Sequence, residues 1–169
     1  MERVNKTKIL TPVLHSMAEG YKKQLGKYKV MLKLAEKQKE YAEIEDMVKL
    51  EEVILARQEL IKELDEMNNR LKPLRDDIMN TLGLSEFSST AILQAMPTKA
   101  AHELADTLGK LGEVLYSLKE MDHINEELLR KKLSQVNTDL NNIQNKNLAK
   151  KAYKKKAPSK SPKWVDESK

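Results

Sequence analysis

Three histidines, His15, His102 and His123, each have a carboxylate four residues on: Glu19, Asp106 and Glu127. Residues four apart share one face of a helix, so each pair could offer an imidazole nitrogen and a carboxylate oxygen to a metal. Around His123 the pattern is sharper, because Glu120 and His123 form E-x-x-H. Di-iron sites in four-helix bundles use that spacing, but they need it twice, together with one carboxylate from each of two further helices. No second copy exists: Pro12 lies three residues before His15 and Lys99 three before His102. The histidine–carboxylate pairs therefore read as ordinary surface pairs. The chain has no cysteine, and no glycine-rich phosphate loop or nucleophile elbow appears. Catalysis needs grouped functional residues, and none are grouped here. The expectation is a protein that is not an enzyme, with no metal, cofactor or small-molecule substrate.

Charge is the next candidate for function. The 169 residues carry a formal +5 with a pI near 9.2. Residues 146–169 hold nine lysines against Asp166 and Glu167, which is +7. The other 145 residues then carry 22 basic and 24 acidic side chains, or −2. The basic character belongs to the tail, and the body has no general attraction to phosphate. From Lys150 the periodic pattern gives way to lysine, serine and two prolines, with Trp164 the last large apolar residue. Such a segment cannot bury enough surface to offset its ordering entropy, so residues 150–169 are expected to be a disordered lysine-rich tail.

What remains is a body of about 149 residues, long enough for one domain with a core. Aromatic residues make up only 4% of the chain, so aliphatic residues must fill that core. The apolar positions recur at helical period. They run through Tyr21, Leu25, Tyr28, Leu32 and Ala35, then through Met47, Leu50, Ile54, Ile61, Leu64, Leu71, Ile78 and Leu82. A neighbouring row, Val53, Leu60, Met67 and Leu74, widens the second stripe. The third runs from Leu104 through Leu108, Leu111, Leu115 and Leu118, and on to Ile143. No stretch alternates like a strand. The fold class is all-α: an antiparallel bundle of three long helices plus one short helix, at about 9–43, 46–82, 89–96 and 98–149.

Punctuation supports those limits. Gly83 suits a left-handed helix end. Ser88, Ser89 or Thr90 can cap the short helix, and Thr98 the last one. Between the first two helices there is neither glycine nor proline, and a turn is expected near Glu45–Asp46. Pro73 removes a donor from the second helix and crowds the Asn69 carbonyl, so a kink is expected there. Gly109 and Gly112 either let a helix approach closely or are tolerated on the surface. The start "MERVNKTKILTPVLHSM" lacks a run suited to a signal peptide, and no stretch reaches the ~20 apolar residues of a membrane span. A soluble cytoplasmic protein is expected.

Asp122, Asn125 and Lys132 fall where the third stripe calls for apolar residues. A buried asparagine can fix helix register at some cost in stability. Alternatively, this part of the helix is not fully covered by its own bundle and serves a partner. Leu128, Leu129, Leu133, Val136, Leu140 and Ile143 would then be an exposed apolar face. On residue types alone, completion of the core is the simpler reading.

The order of these signals resembles the FlgN family of flagellar export chaperones. The resemblance rests on "YKVMLKLAEKQKEYAEIEDMVKLEEVILARQELIKELDEMNNRL", on "LGLSE" and on "MDHINEELLRKKLSQVNTDLNNI", and spans about residues 21 to 145. In that family a leucine-rich first helix and an acidic turn precede a long second helix. An L-G-L-S linker, here Leu82–Ser85, and a brief helix follow. The final helix has an N-x-x-L-L core, here Asn125, Leu128 and Leu129. Pro73 and the lysine tail depart from the pattern. The resemblance implies a cytoplasmic chaperone that binds the hook-associated proteins FlgK and FlgL before export and needs no nucleotide or metal. It holds their terminal helical segments unpolymerised by a helix-in-groove contact. Client binding is implied toward the last helix, at Asn125, Leu128, Leu129, Leu133, Val136, Leu140 and Ile143. That shifts the preference from core to partner face. The flagellar export apparatus is a further candidate partner, and a homodimer is compatible with the stripes. Two other readings stay open: a structural coiled-coil or adaptor protein, and a nucleic-acid-associated protein acting through the lysine tail.

Overall fold

The computed structural model describes residues 2–156, with side chains from Asn5 onward. It contains four helices: α1 Glu2–Glu43, α2 Met47–Leu82, α3 Ser89–Ala95 and α4 Lys99–Lys156. There are no strands among the described residues. Compact packing divides the chain into Met1–Leu128 and Leu129–Lys169.

The first unit is a three-helix bundle running up, down and up. Gln24 on α1 meets Asn68 on α2, and Lys27 meets Glu63, so α1 and α2 are antiparallel. His15 faces Glu103 and Ala35 faces Asn125, so α1 and α4 run in parallel. The larger core cluster joins Leu14, Met17, Tyr21 and Leu25 of α1 to Leu71 and Ile78 of α2, Ile92 of α3, and Leu104 and Leu111 of α4. A second cluster holds Met31, Ala35, Leu64 and Leu118. Tyr21 stacks near Phe87, with ring centroids 6.4 Å apart. Burial raises the pKa of its phenol above the usual value.

The turn between α1 and α2 is where it was expected, and its mechanism explains why the sequence marks it weakly. Glu45 takes a left-handed conformation, φ 59°, without being glycine. The Asp46 N–H then donates to the Tyr41 carbonyl at 3.0 Å, the six-to-one bond of a helix-ending motif. Asp46 also caps α2, its carboxylate accepting from the Lys49 N–H at 3.1 Å. One aspartate thus closes one helix and opens the next. At the far end Gly83 supplies the left-handed cap, φ 67°. Ser88 accepts from the Ala91 N–H and Thr98 from the Ala101 N–H, starting α3 and α4.

Several expectations need correction. The core extends further toward the N-terminus than the Tyr21 stripe, because α1 begins at Glu2 and buries Leu10, Leu14, Met17 and Ala18. Met47 and Ile61 were placed on the buried stripe of α2 but are exposed. Only the row containing Leu50, Val53, Leu64, Leu71 and Ile78 is buried. Pro73 is exposed and α2 continues through it unbroken. Helix α4 passes the expected end at 149 and includes Lys150–Lys156. Lysine and alanine are good helix formers, and cations suit the negative end of a helix. The remainder of the expected disordered tail, 157–169 with Trp164, lies outside the described residues.

Gly109 and Gly112 are exposed, with open space where a Cβ would sit. The glycine that permits close approach is Gly20 of α1, whose added Cβ would lie 2.8 Å from the Leu71 Cδ2. Urea unfolding followed by circular dichroism should therefore separate the glycines. Gly20→Leu is expected to lower stability by about 1–3 kcal/mol through overpacking, while Gly112→Ala raises it by about 0.5–1 kcal/mol. By the same measurement, Glu45→Gly is expected to stabilise by about 1 kcal/mol, because glycine takes the left-handed conformation without a Cβ penalty.

Candidate functional site

The histidine–carboxylate pairs come first. His15 Nδ1 lies 3.6 Å from Glu103 on α4, while Glu19 pairs with Lys22. Asp106 pairs with Lys110, leaving His102 on its own side. Only His123 meets its expected partner, with Nε2 3.3 Å from Glu127 on an exposed surface. Among the described residues no group of three or more histidines and carboxylates converges on a point that could hold a metal ion.

Polar residues of α4 do something different. Arg57 of α2 is largely buried and makes three contacts. One guanidinium nitrogen donates to Gln38 Oε1 of α1 at 2.5 Å, and another donates to Asp122 Oδ1 of α4 at 2.5 Å. Its Nε donates to Met31 Sδ at 3.4 Å. Charge-assisted bonds of this length are the stronger kind, although the half-exposed Asp122 is partly screened by water. One turn further along α4, Asn125 is 3% exposed. Its Nδ2 donates to the Ala35 carbonyl at 2.9 Å, an approach that the small side chain of Ala35 permits. Its Oδ1 is buried without a hydrogen-bond partner. A second polar contact sits lower in the bundle, where the fully buried Gln24 donates to Asn68 at 2.8 Å.

Of the seven residues proposed from sequence, the structure separates one from the rest. Asn125 is interior and bonded to the Ala35 carbonyl, so it presents almost no surface to a client. Leu128 is half-buried. The other five, Leu129, Leu133, Val136, Leu140 and Ile143, are 38–63% exposed, and all belong to the second unit. Projected at 100° per residue they fall within an arc of about 80°, spread over about 21 Å of helix. Their spacing of four, three, four and three is the narrow seam of a coiled coil.

This seam is not the bundle's buried row continued. In the bundle Leu104, Leu111, Leu118 and Asn125 recur every seven residues and are buried. The next members of that row are Lys132, Asp139 and Lys146. Of the exposed seam, Leu129, Val136 and Ile143 continue instead the row of Ala101, Leu108 and Leu115, and Leu133 and Leu140 that of Ala105 and Gly112. Sequence periodicity merged the two rows into one stripe, because either row reads as helical spacing. The exchange of leucine for charge along one row was the signal that could have separated them.

Arg57→Ala is expected to lower stability by about 2 kcal/mol, since it leaves Gln38 without its donor and strips packing from the helix junction. Arg70→Ala, which breaks an exposed pair with Glu66, should stay within about 0.5 kcal/mol. Urea unfolding of both variants checks the contrast.

No helix among the described residues is long and apolar enough to cross a membrane. No curated protein and no solved structure matches the chain at a significant level. One family model does match: FlgN, described as FlgN protein, over residues 14–160. That span takes in all of α2 and α3, most of α1, and α4 with its lysine-rich end. By this match the chain belongs to the FlgN family, a family associated with flagellar export chaperones.

Proposed function

We propose that this chain is a cytoplasmic flagellar export chaperone for hook-associated proteins of the FlgK and FlgL kind, and that it holds them through the seam Leu129, Leu133, Val136, Leu140 and Ile143. The observation that carries this reading is the exposure of five large apolar side chains at coiled-coil spacing on one face. Leucine, isoleucine and valine so arranged are normally covered by another helix. A terminal client segment that becomes helical only in the assembled filament has a matching unpaired face while it is free. Covering that face keeps it from premature assembly. Ordering the client segment offsets part of the contact energy, so the complex is specific and still releasable at the export machinery.

The test is a titration of the full chain against the C-terminal segment of a hook-associated protein from the same organism. Saturable binding is expected. Leu133→Asp or Val136→Asp should each weaken it by at least about tenfold, with helical content unchanged because both positions are exposed. Undiminished binding by both variants would move the client elsewhere on the molecule. Absence of binding by the unaltered chain would remove the chaperone reading in favour of self-association, which sedimentation would register.

A further inference from the structure

Residues 129–156 carry nine basic side chains and one acid, Asp139, a net +8 over 28 residues. The first unit, residues 1–128, carries 19 basic and 23 acidic side chains, or −4. The positive charge of the described chain is thus concentrated on the segment that bears the seam. Its position is specific. Continuing the helical projection, Asn147 falls at the centre of the seam's arc, Lys151 and Lys154 fall inside it, and Lys150 borders it, at about 100° per residue. All three lysines are exposed and helical. One face of α4 therefore reads as about four apolar turns, one amide, and then lysines.

Resting on the client reading above, we propose that the occupant of this seam is an amphipathic helix whose apolar stripe is followed, at one end, by acidic side chains that meet Lys150, Lys151 and Lys154. The apolar turns supply contact area. The lysines set the register and orientation by opposite charge, as flanking charges do in helix pairs. A second copy paired in parallel sets the three lysines against themselves, while an antiparallel copy with seam on seam sets them against residues 118–122, so a dimer seen by sedimentation equilibrium at the titration concentration would overturn the proposal. A lipid surface fits poorly as well. Interfacial helices carry a broad apolar face with Trp, Phe or Leu, whereas this seam is narrow and flanked by Lys132 and Asp139 on one side and Asn137 and Gln144 on the other. Double-stranded nucleic acid would use the lysines and leave the leucines uncovered. On this reading the lysines at the end of α4 extend the binding face, so they are more than an appendage.

Three synthetic helical peptides test the proposal, identical in their apolar heptads and differing only in four residues at one end: Glu, Gln or Lys. Each is titrated by fluorescence anisotropy against the full chain, against Leu133→Asp, and against the triple variant Lys150→Glu, Lys151→Glu, Lys154→Glu. The Glu-ended peptide is expected to bind at least about tenfold more tightly than the Lys-ended one. The triple variant should reverse that order, and Leu133→Asp should weaken all three. Equal affinities for the three peptides would overturn the proposal. So would a Glu-ended peptide indifferent to Leu133→Asp, or tighter binding of anionic phosphatidylglycerol vesicles or a short DNA duplex than of the Glu-ended peptide. The hook-associated segment separates the two readings: if it binds while the peptides are not discriminated, only the charge assignment fails.

Discussion

One guanidinium holds the three long helices in a common register. Arg57 of α2 reaches Gln38 of α1 and Asp122 of α4 at once, and Asn125 locks α4 to the Ala35 carbonyl one turn away. Apolar rows alone tolerate sliding by a heptad, because leucine against leucine looks alike at each step. Hydrogen bonds do not tolerate it, since a buried donor or acceptor without its partner carries a desolvation penalty. The unsatisfied Asn125 Oδ1 indicates that specificity at this level is obtained at some loss of stability.

The buried row of α4 ends at Asn125, and the positions that continue it are charged. Large apolar residues then reappear on other heptad positions, where they are exposed. A core that merely ran out would show leucine thinning along one row. Here charge replaces leucine along the most buried row, while Leu129, Val136 and Ile143 continue the less buried row of Leu108 and Leu115, the pattern expected when one helix serves two different neighbours. Within the bundle those neighbours are α1 and α2. For the second unit the proposed neighbour is a client helix, and the change of row keeps the two packing tasks chemically independent.

Charge follows the same division. The bundle residues are slightly acidic and the segment from Leu129 onward strongly basic. Spread evenly, +5 would act only as a general solubilising charge. Concentrated beside a short apolar seam it becomes a recognition element, because opposite charges speed encounter and like charges reject unsuitable partners.

The sequence by itself determined the all-α class and the caps at Gly83 and Thr98, offered Ser88 as one of three candidate caps for α3, and pointed to a turn near Glu45–Asp46. Each follows from local chemistry: period, capping oxygens, and the one residue type that bends left without strain. It also gave the absence of a second E-x-x-H. Only the tertiary structure decided that Asn125 is interior while Leu129, four residues on, is exposed. Both lie on the same periodic stripe, and burial depends on which positions of α4 another helix covers, which periodicity within α4 does not encode. Gly20 was silent for the same reason, since its role exists only when Leu71 lies against it. Arg57 is likewise unmarked in the sequence, because its role exists only when Gln38 and Asp122 are brought to it. Residues whose work is local were legible, and residues whose work is to meet another helix became so only when that helix was in place.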